Sequence, residues 1–165
     1  MADDDVFRDA TFSPCGRYRY RLERRWKGNP GDTDALAIVG LNPSTADRAM
    51  DDATVRRCVG FARRAGFPAV VLVNLYAWRS TDPRALGKVD DPIGPDNDRV
   101  LRTVLAAAPM ALAAWGARAP RGRVEECMAL RARWHCLKVL RGGAPGHPLY
   151  LPADSEPAPW VSPTG

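Results

Sequence analysis

The sequence is poor in histidine, with two, and in lysine, with three, and it contains no closely spaced pair of cysteines. Cys15, Cys58, Cys127 and Cys136 stand apart, with no C-x-x-C unit and no repeated spacing. A zinc or iron–sulfur site draws at least two ligands from one tight turn, so no metal is expected and the thiols read as reduced and mostly buried. Nor is a cofactor expected. No apolar run approaches the roughly 20 residues that span a bilayer, which argues against a membrane-spanning helix. The opening MADDDVFRD is acidic where a secretory leader is basic and then apolar, so a cytoplasmic location is expected.

What is present is an ordinary apolar fraction, 45%, in 165 residues. That length suits one compact domain, expected over residues 1–152, with a loose proline-rich tail at 153–165 and no second domain. A monomer is expected. The net charge of +5 comes mainly from arginine, clustered at Arg17, Arg19, Arg21, Arg24 and Arg25, at Arg56, Arg57, Arg63 and Arg64, and at Arg118, Arg121 and Arg123. Guanidinium forks suit phosphate oxygens, which points to a polyanion or a phosphorylated small molecule as partner. A GC-rich coding sequence, which spells basic residues as arginine, explains the same bias without a ligand.

In RYRYRL, Tyr18, Tyr20 and Leu22 alternate with Arg17, Arg19 and Arg21, as in a strand with one face covered. Ala35–Leu41, Ala69–Leu75, Met110–Gly116 and His135–Leu140 are short apolar runs, and the first three lack alternation, as strands covered on both faces do. Helical periods separate them. Asp52 is placed to cap a helix carrying Val55, Cys58, Val59 and Ala62 inward, and Pro95 and Asp96 open a second with Val100, Leu101, Val104 and Leu105. A third is expected from about Arg123 to Trp134. Alternating strand and helix predict an α/β fold, a mainly parallel sheet between helices on both faces.

Ligands of such sheets bind beyond the carboxyl ends of the strands. The first of these ends is Gly40-Leu41-Asn42-Pro43-Ser44-Thr45. Gly40 admits close backbone approach, and Pro43 keeps Asn42 extended so that its carboxamide projects from a rigid corner. A turn made for folding alone is the competing account. At the second end Asn74 follows four apolar residues, offering the donor and acceptor that read a nucleobase edge. Tyr76 and Trp78 could stack on a flat ring or pack in the core or rim. The third end, Trp115-Gly116-Ala117-Arg118, sets an arginine where a phosphate could lie, and His147 stands in a loop between Gly146 and Pro148. His135 begins a strand and reads as structural. The pairs Asp51/Asp52 and Asp90/Asp91 could supply a base or metal ligands, but caps and turns account for them more simply.

In order, GLNP, VVLVNLYAWR, WGARA and GHPLYLP resemble the uracil-DNA glycosylase superfamily, over Ala35 to about Leu151. More closely, GLNPSTAD, DDATVRRC, NLYAWRSTDP and HPLYLP are similar to a family of bacterial and phage proteins catalogued only as a domain of unknown function. The superfamily resemblance implies a three-layer α/β/α sandwich that binds DNA or a nucleotide and hydrolyses a glycosidic bond. It implies that Asn42 positions the hydrolytic water, Asn74 reads the base and His147 supports charge on the departing base. It also implies that Pro43 and Ser44 line the phosphate side; read from their own positions, Gly40 would open the site to a ligand, Tyr76 or Trp78 would stack on the base in place of the family aromatic, and Arg56, Arg57 and Arg118 would meet phosphates. Three departures stand out. The most active members carry aspartate where this chain has Asn42, the last loop reads HPLYLP and assigns no duplex-wedging leucine to Leu149 or Leu151, and Asp47–Arg57 lacks the usual stacking aromatic. A binding module without turnover therefore stays open, as does an enzyme gripping a phosphorylated or modified nucleotide with Asp47, Asp51, Arg56 and Arg57.

Overall fold

A computed structural model of the protein describes residues 5–163; the acidic start, residues 1–4, and residues 164–165 lie outside it. Seven strands form one sheet: β1 (Phe7–Phe12), β2 (Arg19–Arg25), β3 (Leu36–Gly40), β4 (Ala69–Asn74), β5 (Ala111–Ala113), β6 (Trp134–Cys136) and β7 (Ala158–Trp160). Their order is β1-β2-β4-β3-β5-β6-β7. The central four, β4-β3-β5-β6, run parallel, while β1, β2 and β7 add antiparallel edges. The sheet is therefore mixed rather than mainly parallel. The local patterning carried the parallel core correctly, because each βαβ unit encloses its own helix, but it held no information on the edges.

Helix α1 (Ala53–Arg64) packs on one face, where Val55, Cys58 and Ala62 meet Leu36, Ile38, Val70 and Leu72. Helices α2 (Asn97–Ala107) and α3 (Arg121–Met128) cover the other, where Leu101, Leu105 and Cys127 meet Ala37, Val39, Val71 and Val73. Each buried Val or Leu side chain contributes about 1.5–3 kcal/mol by leaving water. Asp52 caps α1 by accepting from the Val55 amide at 2.9 Å, as its position before the apolar period predicts. Helix α3 ends six residues before Trp134, because the Trp134 indole donates to the carbonyls of Met128 (3.3 Å) and Arg131 (3.1 Å) and the chain turns there into β6.

Two segments depart from the sequence reading. Strand β2 is covered on both faces, so Arg19, Glu23, Arg24 and Arg25 are all buried. Arg24 pairs with Asp51 at 2.8 Å, and Arg25 with Glu23 at 3.3 Å and Asp34 at 2.8 Å. Alternation marks a polar face but not whether loops cover it. Residues 158–160, expected within a loose tail, pair with β6, and Trp160 packs edge-on against Trp115 with ring centroids 5.8 Å apart. A three-residue strand with proline at its centre and another just before it has no local signal; the edge of β6 and a tryptophan slot supply it. No helix among the described residues is long and apolar enough to cross a membrane.

Candidate active site

From β3 the chain crosses to β4 on one side, returns past β3 to β5, and continues to β6. The loops after β3 and β5 therefore leave toward opposite faces, and such a switch point opens a crevice at the carboxyl edge. A cleft of about 740 Å³ lies there. It is lined by Gly40, Asn42, Pro43 and Ser44 after β3, Asn74 at the end of β4, Trp115 to Arg118 after β5, and His147 in the loop that follows β6.

Asn42 Nδ2 donates to the carbonyls of Ser80 at 2.9 Å and Pro43 at 3.2 Å. Both partners accept only, so the amide orientation is determined: nitrogen toward backbone, Oδ1 away from it. Asn74 pairs in register with Gly40. Its backbone carbonyl accepts from Asn97 Nδ2 at 2.9 Å, and the next carbonyl, Leu75, accepts from Asn97 (3.1 Å) and Arg123 Nε (2.8 Å), so two buried side chains hold this strand end. Asn74 is 6% exposed, and its side chain has no protein partner among the described residues, leaving donor and acceptor for a ligand. Its Oδ1 stands 2.7 Å from where a Cβ at position 40 would be, so glycine there is what admits the carboxamide.

His147 precedes a 3-10 turn, Pro148–Tyr150, and its Nδ1 accepts from the Leu149 amide at 3.2 Å. That bond requires an unprotonated Nδ1, so the neutral ring carries its proton on Nε2. Burial holds the His147 pKa below the usual histidine range, partly opposed by the Asp52 carboxylate. The loop is pinned by Leu151, which fills the space beside Gly146, and by Arg57 Nη2, which donates to the Leu151 carbonyl at 3.0 Å. Leu151 is buried, whereas Tyr150 stands at the cleft rim 81% exposed.

Of the residues singled out in the sequence, Gly40, Asn42, Pro43, Ser44, Asn74, Arg118 and His147 share this cleft. Tyr76, Trp78, Arg56 and Arg57 do not line it. Tyr76 lies 5.9 Å from the Arg123 guanidinium and lines a smaller neighbouring cavity of about 450 Å³. Trp78 packs edge-on against Tyr18 at 5.5 Å. Arg56 donates to the Asp51 carbonyl, and Asp51 itself is committed to Arg24 and Arg8. The cleft is also lined by residues the sequence did not place there, among them Arg19, Thr54, Ser80, Lys138 and Tyr150, and by Asp52, which read more simply as a cap. Arg19 carried a signal only as one of a cluster of arginines, Asp52 as a helix cap and one of an acidic pair, and Tyr150 as an aromatic inside HPLYLP. Cys58 also lines the cleft, but burial pushes its thiol up to about 12, so it is no thiolate nucleophile. No group of three or more His, Cys, Asp or Glu side chains suited to a metal ion occurs among the described residues.

Residues 19–149 match the sequence model of a family described as "Protein of unknown function (DUF1643)". The chain belongs to this family. The DUF1643 match starts at the first residue of β2 and runs through Leu149, so it takes in every strand end that builds the cleft. No curated protein and no solved structure matches the chain. DUF1643 membership brings no activity with it.

Proposed function

We propose that this DUF1643 protein is a uracil-DNA-glycosylase-like α/β/α sandwich that acts on a deaminated nucleobase in DNA and hydrolyses its N-glycosidic bond. One observation carries the reading: Asn42, Asn74 and His147, from three separate segments, line a single cleft at the switch point of the sheet. Its volume, about 740 Å³, falls within the range of small-molecule pockets and accommodates a nucleoside.

Each group has a role that its hydrogen bonding supports. In this reaction the bond between C1′ and the base nitrogen breaks with its electron pair leaving on the base. An oxocarbenium-like sugar remains, water oxygen adds to C1′, and the water proton passes to the base or solvent. Asn42 Oδ1, the free end of an amide whose nitrogen is anchored, accepts from that water and orients it. Asn74 pairs with one donor and one acceptor on the base edge. His147 donates Nε2–H to the oxygen where negative charge grows, and a neutral donor fixed through Nδ1 costs no reorganisation at that moment. Arg118 and Lys138, both exposed on the cleft lining, suit the flanking phosphates. In a duplex the nucleotide must first leave the stack, which costs a few kcal/mol.

The Asn42 geometry favours a second reading as well. A carboxamide is no proton acceptor, so the cleft is also that of a module that binds DNA or a nucleotide without turnover. Incubating the protein with single- and double-stranded oligonucleotides bearing uracil, hypoxanthine or xanthine, then cleaving with alkali, separates the two. Abasic sites that vanish in Asn42→Ala and His147→Ala support hydrolysis. Intact lesions at enzyme excess, with DNA held tightly in a salt-dependent way, support the binding module and reject the enzyme.

A further inference from the structure

Among the described residues four arginines are buried, and three of them hold carboxylates: Arg24 with Asp51, Arg25 with Glu23 and Asp34, Arg123 with Asp98 and Glu126. Arg19, 3% exposed, holds none. It makes one side-chain hydrogen bond, Nη1 to the Ala46 carbonyl at 3.1 Å. Its Nε is buried without any partner, and Nη2 has none either. A buried guanidinium with most of its donors idle is costly, and proteins keep such groups where something else completes them. Arg19 lines the cleft. It gets there because β2 runs antiparallel to β4, which brings the start of β2 to the carboxyl ends of the parallel strands.

The neighbouring charge does not complete it. Asp52 also lines the cleft, but its two oxygens accept from backbone amides, Val55 at 2.9 Å and Ala46 at 3.4 Å, and no ion pair to Arg19 forms. Ser44 and Thr54 add hydroxyls to the lining of the same cleft. We propose that Arg19 is a ligand-binding residue of this cleft, receiving an anionic oxygen of the ligand: a phosphoryl oxygen, or the oxygen of a nucleobase that has taken up negative charge. The inference rests on the reading of the cleft as a nucleotide or nucleobase site, and not on bond cleavage.

Three probes, inorganic phosphate, dUMP and the acidic free base xanthine, are titrated into the full chain by calorimetry, with the Arg19 Nε–H resonance followed in parallel. At least one probe is expected to bind and to move that resonance, and Arg19→Met to weaken it about tenfold or more. The Met variant should unfold no earlier than the unaltered protein without probe, since it removes an unpaired buried charge. Loss of phosphate and dUMP binding assigns the phosphoryl source; loss of xanthine binding alone assigns the base. Equal binding by the variant, or no binding of any probe at millimolar concentration, overturns the proposal. Should the Met variant fail to fold, an Arg19 Nε–H signal that stays still at saturation of the unaltered protein overturns it equally. Binding through Arg19 with every lesion left intact rejects only the hydrolysis. Excision without any such binding rejects only the role of Arg19.

Discussion

Replacing Asn42 by aspartate tests the feature on which the reading of this cleft turns, the orientation of one amide. Asn42 Nδ2 lies 2.9 Å from the Ser80 carbonyl and 3.2 Å from that of Pro43. Asn42→Asp exchanges that donor for an oxygen facing two carbonyl oxygens. Two hydrogen bonds at about 1 kcal/mol each are lost, and a half-buried carboxylate then faces two dipoles of the wrong sign, so we expect about 2–4 kcal/mol of destabilisation at neutral pH. The introduced acid is easier to accommodate protonated, when it can donate to one carbonyl, so its folded pKa lies above the unfolded value of about 3.9. The folded state then holds more protons than the unfolded one between those two values. Stability relative to wild type falls as pH rises through that window and recovers below about 3.9. Urea unfolding of both proteins between mildly acidic and neutral pH measures the difference. Equal stability at neutral pH, or a deficit that does not shrink on acidification, would show that the amide is turned the other way and that Asn42 offers its nitrogen to the cleft.

Trp160→Ala removes a side chain 6% exposed against Trp115, and should cost about 3 kcal/mol in the same assay; a change under about 0.5 kcal/mol would mean that residues 158–160 do not belong to the sheet. The His147 ring should titrate below the ordinary histidine value of about 6.5 when followed by NMR. Its folded pKa is depressed, so its contribution to stability is complete above about 6.5 and is lost as pH falls through the folded value. A midpoint above 6.5 would contradict a buried neutral ring with its proton on Nε2.

Much of the central fold was legible because it is locally encoded. The apolar runs of β3 and β4 are bounded by turn residues, and α1 announces itself by a cap and an i, i+3, i+4, i+7 period, so each could be placed without its neighbours. The edges were not legible. Strand β7 exists because β6 offers unpaired backbone and a slot for Trp160, and β2 is buried on both faces because the loop carrying Asp47 and Asp51 folds over its arginines. The site divided in the same way. Asn42 and Asn74 stood out by their setting at strand ends and His147 by its loop between glycine and proline, whereas Tyr76 and Trp78 took packing partners, Arg57 came to hold a loop, and Arg19 gave no sign of reaching the cleft.

By itself the sequence determined which segments become strand or helix in the parallel core and, for β3 and β4, where the strand stops to within a residue, since each depends on contacts a few residues apart; β5 and β6 end at Ala113 and Cys136, short of the expected Gly116 and Leu140. Tertiary structure alone decided which stops face one another, which way the Asn42 amide turns, and that an arginine from an antiparallel edge strand is left without a carboxylate inside the cleft. Those outcomes depend on strand order and on groups far apart in the chain, such as Asn42 with Ser80 and Arg57 with Leu151, and no local pattern of residues encodes such meetings.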